Sequence, residues 1–139
     1  MTDFEDVLAI QQAIANYSYT FDSGDAEGWA NIFTRDGVWE YYGIGEDKPA
    51  TKLDGHDELR RFAEQRYRDR PEGVRSYHHQ SGIIFDELTS DTARTRVMLV
   101  LTVQTAGERS ARVLTTGIYH DQWQKTPQGW RLTYRVLRA

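Results

Sequence analysis

Two neighbouring histidines and two aspartates are the side chains in this sequence best suited to acid–base chemistry. His78 and His79 lie in a segment typical of a β-strand, so their side chains point to opposite faces of a sheet. At most one of them can face an enclosed cavity. Asp22 and Asp25 follow the first helical pattern, where aspartate is also common as a turn residue or a helix cap. For Asp25 the role of helix cap is favoured. For Asp22 two roles stay open, a turn residue bonded to the backbone and a carboxylate that orients a histidine.

The sequence predicts no metal site and no cofactor. There is no cysteine, which excludes a disulfide, a thiolate metal ligand and a cysteine nucleophile. The four histidines are scattered and form no HxH or HxxxH pair; they are His56, His78, His79 and His120. A single carboxylate–histidine pair suits proton transfer without a cofactor.

Composition predicts a soluble protein that binds neither nucleic acid nor membrane. The 17 basic and 21 acidic residues give a formal net charge of −4, which offers no electrostatic footprint for nucleic acid. Arginines between Arg60 and Arg70 alternate with acidic residues, so a solvated helix face is favoured over a phosphate-binding patch. No apolar window is long enough to span a membrane, and the acidic N-terminus is unlike a signal peptide. These features fit a cytoplasmic location and one domain over residues 1–139.

The N-terminal half predicts three helices. Apolar residues recur at steps of three and four from Phe4 to Phe21, which is the spacing of one helical face. A short second helix, Ala26 to Phe33, is predicted after the Asp25 cap. A third follows Gly55, with an apolar stripe made of Leu59, Phe62, Ala63 and Tyr67.

The rest of the chain predicts strands. Asp36-Gly37 reads as a turn before a strand at Val38 to Tyr42, and Gly43, Gly45 and Pro49 mark a loop. Longer strands are predicted near 75–86, 92–105, 111–125 and 129–138, joined by short turns that favour antiparallel pairing. Helices that precede a strand meander predict a segregated α+β fold.

An ordered set of motifs makes the chain similar to the SnoaL-like group of the nuclear-transport-factor-like superfamily. The motifs are Tyr17-x4-Asp22-x2-Asp25-x3-Trp29, Ile32-Phe33-Thr34-x-Asp36-Gly37-Val38-Trp39-Glu40, Gly55, His78, Gly117-x-Tyr119-x-Asp121-x-Trp123 and Gly129-Trp130-Arg131-Leu132-x2-Arg135. The resemblance implies an α+β fold in which three helices of the N-terminal half pack in the mouth of a cone-like, curved, mixed or antiparallel sheet. It also implies a pocket for a small hydrophobic molecule.

The same resemblance implies a catalytic pair. In scytalone dehydratase and hexachlorocyclohexane dehydrochlorinase an aspartate on the first helix pairs with a histidine, and those positions correspond to Asp22 and His78 here. Such an aspartate fixes the imidazole tautomer and stabilises the imidazolium that forms when the ring takes a proton. His79 stays an alternative, because Gly82 replaces the asparagine of the family pattern. By resemblance the Tyr17 hydroxyl donates to a substrate carbonyl.

Arg135 matches a pocket arginine of the dehydrochlorinase, which implies that it binds a leaving anion or a substrate carbonyl. The alternative is an outward ion pair. Regular alternation puts Arg131 and Arg135 on one face of the last strand and Leu132 on the other, unless a bulge intervenes.

Aromatic residues are the candidate substrate-binding lining: Phe21, Trp39, Tyr41, Tyr77 and Tyr119. Trp39 and Tyr41 share strand parity, so Glu40 between them should point away from the cavity. That argues against a ketosteroid-isomerase mechanism, which needs an inward carboxylate on this strand.

The predicted function is a lyase or isomerase, like a dehydratase or a polyketide cyclase, in which a histidine removes a proton with the help of an aspartate. Two alternatives stay open: a non-catalytic small-molecule-binding domain, and the small structural subunit of a ring-hydroxylating dioxygenase. The resemblance also implies a homodimer or homotrimer formed through the outer face of the sheet.

Overall fold

A computed structural model describes residues 3–139 as an α+β fold of three helices and one six-stranded sheet. In chain order the elements are α1 (Asp3–Ser23), α2 (Ala26–Ala30), β1 (Phe33–Tyr42), β2 (Thr51–Asp54), α3 (His56–Asp69), β3 (Val74–Leu88), β4 (Thr92–Thr105), β5 (Arg112–Thr126) and β6 (Gly129–Arg138). The strand order is β2-β1-β6-β5-β4-β3, with β1 and β6 parallel and the other neighbours antiparallel. The predicted α+β class with a mixed sheet is confirmed, and the sheet stays open with β2 and β3 at its edges.

The predicted apolar stripe of α1 packs against the sheet from Ile10 onward, whereas Phe4 and Leu8, predicted on the same face, are exposed. Ile10, Ile14 and Tyr17 are buried at steps of four and three, the spacing of one helical face. Across the core they join Leu99 and Tyr119 from the middle strands. No helix among the described residues is long and apolar enough to cross a membrane.

The second helix is shorter than predicted. Phe33, predicted as its last residue, is instead the first residue of β1. The backbone N–H of Leu132 donates to the carbonyl of Ile32 over 2.9 Å, so pairing with β6 satisfies backbone that a longer helix would have used. The predicted cap is confirmed, because Asp25 Oδ1 accepts a hydrogen bond of 2.9 Å from the Gly28 N–H.

The first strand begins earlier than predicted and carries a bulge. Asp36 and Gly37, predicted as a turn, lie within β1 where its register against β6 shifts between Phe33 and Val38. Strand β2 was not predicted, since the preceding glycines and proline mark this region as a loop. It adds four residues to the free edge of β1.

A second bulge reverses the side-chain alternation of β6. Tyr134 pairs with Gln122 and Leu132 with Trp123, so Thr133 is an extra residue on β6. As a result Leu132 and Arg135 both point into the core and both are fully buried. The exception to regular alternation that the sequence left open, a bulge, is therefore present, and the two residues share one face.

Candidate functional site

A cavity of about 600 Å³ lies between the helices and the inner face of the sheet. Its wall is mostly apolar and aromatic, and includes Phe21, Trp39, Phe62, Leu99, Leu101 and Leu137. A largely apolar cavity of this size is typical of small-molecule sites. Polar groups are grouped within the cavity and at its rim, and these determine its chemistry.

Asp22 and His78 meet at the wall of the cavity, brought together by the end of α1 and the edge strand β3. Asp22 Oδ1 lies 2.6 Å from His78 Nδ1, and Asp22 Oδ2 accepts a hydrogen bond of 2.9 Å from the His78 backbone N–H. The two side chains are nearly buried, with 10% and 13% of their surface exposed. Because β3 has a strand partner on one side alone, this N–H faces the open edge, and the carboxylate satisfies it.

The geometry fixes how the imidazole can act. A hydrogen bond from Nδ1–H to Asp22 leaves the lone pair of the neutral ring on Nε2 of His78. Nε2 has no hydrogen-bond partner among the described residues. Phe21 packs edge-on against the ring, with centroids 5.2 Å apart, and limits its rotation. The ring is thereby held as a potential proton acceptor at the cavity wall.

Gly82 occupies a bulge in β3. Gly82 has φ +61°, and it lies where the register of β3 against β4 shifts between Ser81 and Ile84. Glycine and asparagine are the residues that adopt this left-handed region most readily. The glycine therefore fits the backbone conformation of the bulge.

Tyr17 is a second polar group of the cavity, positioned by the buried face of α1. Its hydroxyl oxygen accepts a hydrogen bond of 3.0 Å from Trp39 Nε1, and that bond does not use the hydroxyl proton. Burial raises the pKa of Tyr17, and the nearby Arg135 guanidinium opposes this shift. Burial likewise raises the pKa of Tyr119 well above its ordinary value. Both phenols are therefore protonated donors at neutral pH.

Arg135 lies behind the cavity wall and is already paired. Its Nε donates to Asp121 Oδ1 over 2.8 Å, and its Nη2 donates to Gln80 Oε1 over 2.6 Å. The guanidinium carbon lies 4.2 Å from the Tyr17 ring centroid and 3.5 Å from that of Tyr119. The side chain forms an inward ion pair, so the predicted alternative of an outward ion pair is wrong. Arg135 is not among the residues that line the cavity, but its Nη1 has no partner among the described residues, and its role in binding an anion or a carbonyl stays a prediction.

Asp121 and Gln80, the hydrogen-bond partners of Arg135, were not among the residues predicted for the site. Asp121 is buried and also accepts a hydrogen bond of 3.0 Å from Thr95. Burial raises the pKa of Asp121, and Arg135 opposes this shift. The alternation of side chains along β5 could have indicated that Asp121 faces the core. Tyr119, Asp121 and Trp123 are every second residue of the strand and lie on one face.

The cavity contains four of the five predicted lining residues. Phe21, Trp39, Tyr41 and Tyr119 line it. Tyr77 was predicted wrongly, since it neighbours the inward His78 on β3 and must point outward, where it is 49% exposed.

The remaining candidate acid–base groups lie outside the cavity. His79 is on the outer face of β3, with Nε2 2.9 Å from Thr102 Oγ1. Glu40 also points away from the cavity, as its parity predicts, and it accepts hydrogen bonds from Tyr134 and Tyr42. Strand β1 therefore contributes no carboxylate to the cavity.

The rim of the cavity includes residues from the end of α3 that were read as a solvated face. Gln65, Arg66, Asp69 and Arg70 lie there. Interleaved charges conceal such a role in the sequence, because alternation of sign is equally typical of an exposed helix.

The family of the chain follows from comparison with known proteins. The SnoaL-like domain matches residues 2–136, so the chain belongs to the SnoaL-like domain family and the resemblance drawn from the motifs is confirmed. Among solved structures, it is similar to Rv3472 of Mycobacterium tuberculosis, a protein of unknown function. The two are 32% identical, with a TM-score of 0.81 over 97% of this chain and 72% of the other.

Two proteins of Novosphingobium aromaticivorans are also similar. One is a proposed scytalone dehydratase, 25% identical, with a TM-score of 0.80 over 99% of this chain and 85% of the other. The other is a proposed beta subunit of an aromatic-ring-hydroxylating dioxygenase, 17% identical, with a TM-score of 0.79 over 94% of this chain and 86% of the other. At 17% identity the second likeness concerns the fold alone.

Proposed function

We propose that the protein is a cofactor-free lyase or isomerase in which His78 removes a proton from a small hydrophobic substrate. Asp22 orients the imidazole and stabilises its protonated form. The observation that carries this proposal is the 2.6 Å contact between Asp22 Oδ1 and His78 Nδ1 at the wall of an apolar cavity. The likeness to a proposed scytalone dehydratase supports the reaction class.

A β-hydroxy ketone illustrates the proposed chemistry. His78 Nε2 takes the proton on the α-carbon, and that electron pair forms a carbon–carbon double bond as the bond to the β-hydroxyl breaks. The imidazolium returns its proton to the leaving hydroxide, which departs as water. On a substrate without a leaving group, the proton returns to a different carbon and the net reaction is an isomerisation.

Tyr17 completes the proposed mechanism as a donor to the carbonyl oxygen. Negative charge develops on that oxygen as the α-proton leaves, and a protonated, buried phenol can stabilise it without solvent rearrangement. The hydrogen bond from Trp39 fixes the phenol oxygen and so directs the hydroxyl proton.

Two probe reactions test the proposal without knowledge of the natural substrate. Loss of water from 3-hydroxy-1-tetralone gives fluorescent 1-naphthol and reports elimination, whereas deuterium uptake by 2-tetralone reports proton abstraction alone. The wild-type protein should accelerate at least one reaction, and His78→Gln should abolish that acceleration. His79→Gln, a matched change on the outer face of the same strand, should leave it intact. Equal activity of the two variants, or two probes that bind the wild type and do not react, would refute the proposal.

A non-catalytic binding domain is the second candidate function. One observation favours it: Asp22 also bonds the His78 backbone, so the pair has a structural use that needs no chemistry. It predicts that a ligand bound in the cavity is recovered unchanged after long incubation at neutral pH. A product that accumulates with time would exclude it.

The dioxygenase-subunit alternative rests on a shared fold. It predicts co-purification with a larger iron-containing chain, so a stable assembly of this chain alone would count against it.

We also propose that two or three copies associate through the outer face of the sheet. Large apolar side chains are exposed there on neighbouring strands, notably Met98, Val100 and Ile118. Met98→Glu should reduce the mass measured by light scattering to that of one chain, while Ile44→Glu in an exposed loop should not. A wild-type protein that is already monomeric at high concentration would contradict this.

A further inference from the structure

Two arginines stand at the rim of the cavity, where α3 ends. Arg66 lies in the last turn of the helix, and Arg70 follows directly after it. We propose that Arg66 and Arg70 bind a carboxylate on the substrate, so that the substrate class is a hydrophobic carboxylic acid. This inference rests on the proposed function only in taking the cavity as the place where substrate binds.

The two rim arginines differ from other arginines of the same segment in their partners. Arg60 pairs with Glu64 and Glu27, and Arg68 donates to the side chain of Gln65. Arg66 and Arg70 form no ion pair with any described residue. Their N–H groups are therefore available to an anion from solution.

Both guanidinium groups lie over aromatic rings. The guanidinium carbon of Arg66 lies 5.0 Å from the centroid of Phe62, which also lines the cavity. That of Arg70 lies 4.3 Å from the centroid of Tyr67. A guanidinium stacked on a ring keeps its N–H edge free, and that edge matches the two oxygens of a carboxylate.

Close packing at Gly24 places this rim beside Asp22 and His78. Gly24 has φ +85°, and a Cβ atom there would lie 2.8 Å from the ring of Tyr67. The ring that supports Arg70 thus rests on the residue two positions beyond Asp22. A substrate held by the arginines would extend its apolar part toward Asp22 and His78.

The charge balance of the rim suits a single negative charge. Asp69 also lies at the rim, and its Oδ1 accepts a hydrogen bond of 2.8 Å from Gln65. One carboxylate against two guanidinium groups leaves one positive charge in excess. That excess matches a monocarboxylate better than a phosphate dianion.

Ligands that share one apolar skeleton test this inference. Phenylpropionate, phenylpropanol and phenylpropyl phosphate can be titrated into isotopically labelled protein while the Trp39 indole N–H resonance, at the cavity wall, is followed. The wild type should bind phenylpropionate about tenfold more tightly than phenylpropanol, since hydrogen bonds to charged groups contribute this much even when partly exposed. The preference should fall with added salt.

Substitution of the arginines shows which side chains cause the preference for the carboxylate. Arg66→Gln combined with Arg70→Gln should reduce the preference to less than about twofold and leave phenylpropanol binding unchanged. Arg68→Gln, on the same helix outside the cavity, should behave as the wild type. Equal binding of acid and alcohol by the wild type would overturn the inference. So would tighter binding of the phosphate, failure of the acid to bind at millimolar concentration, or an equal loss in the Arg68 variant.

This experiment measures binding and not turnover. Loss of the carboxylate preference would leave the proposed acid–base reaction untouched. Conversely, an inactive protein that still prefers the acid would refute the reaction and keep the inference.

Discussion

Substitution of Asp22 by asparagine or by alanine separates the structural and chemical uses of this carboxylate. Asp22 Oδ2 accepts the His78 backbone N–H over 2.9 Å, and Oδ1 accepts from the ring over 2.6 Å. Asparagine retains one oxygen for the backbone N–H but presents an NH₂ group to the ring. His78 Nδ1 must then accept a hydrogen bond, which places the ring proton on Nε2 and removes the base.

The expected magnitudes differ for activity and for stability. Asp22→Asn should lower kcat by about 10²- to 10⁴-fold, the usual range for loss of a positioned base or its tautomer. Its free energy of unfolding should change by less than about 1 kcal/mol, because the edge N–H keeps an acceptor. Asp22→Ala leaves that partly buried N–H without a partner and should cost about 1–3 kcal/mol as well as the activity.

Urea unfolding and the tetralone assays measure the two effects in the same preparations. The reasoning is refuted if Asp22→Asn keeps most of the activity, since the pair would then be structural. Equal losses of stability in the two variants would also contradict it, because asparagine would not have replaced the backbone acceptor.

Three further predictions concern other polar contacts of the fold and of the cavity. Arg135→Gln should reduce the free energy of unfolding in urea by about 3–5 kcal/mol, because it leaves Asp121 buried without its cation. Combining it with Asp121→Asn should recover part of that loss, and strictly additive losses would contradict a coupled pair. The hydrogen bond from Trp130 lowers the pKa of Asp6 in the folded protein. The stabilising effect of the ionised Asp6 carboxylate should therefore be complete above pH about 4 and should fall as the pH drops through the lower folded-state pKa. The urea midpoints of the wild type and Asp6→Asn should converge in acid, and a constant difference between them would argue against this linkage. Tyr17→Phe removes the proposed donor to the carbonyl oxygen and should lower kcat by about 10- to 100-fold in the tetralone assay, with little effect on KM. An unchanged kcat would exclude Tyr17 from the mechanism.

The sequence predicts those elements whose signals are local. The apolar stripe of α1 continues to Tyr17 at helical spacing, and the four long strands are bounded by turn residues, so both kinds of element were found close to their observed bounds. The end of α2 was not, because Phe33 pairs with β6, a strand almost a hundred residues away along the chain. Propensity within a short window contains no information about that partner.

Some residues of the site were predicted from the sequence and others were not, because the position of the others depends on partners far away along the chain. The motif resemblance pointed to Asp22 and His78, and the structure brings these two residues within hydrogen-bond distance. The orientation of Arg135 depends on one extra residue in β6, which is set by pairing with β5 and is invisible in the alternation of the strand itself. The rim arginines look like any other exposed charges until the cavity that they border is known.

The tautomer of His78 at neutral pH tests the central claim most directly. Nitrogen-15 NMR of ring-labelled histidine distinguishes a protonated nitrogen from one with a free lone pair, and His78→Gln assigns the signals. The proposed base requires a proton on Nδ1, facing Asp22, and an unprotonated Nε2 at the cavity wall. A neutral ring with its proton on Nε2 would contradict the account, because that nitrogen could not accept a proton from a substrate.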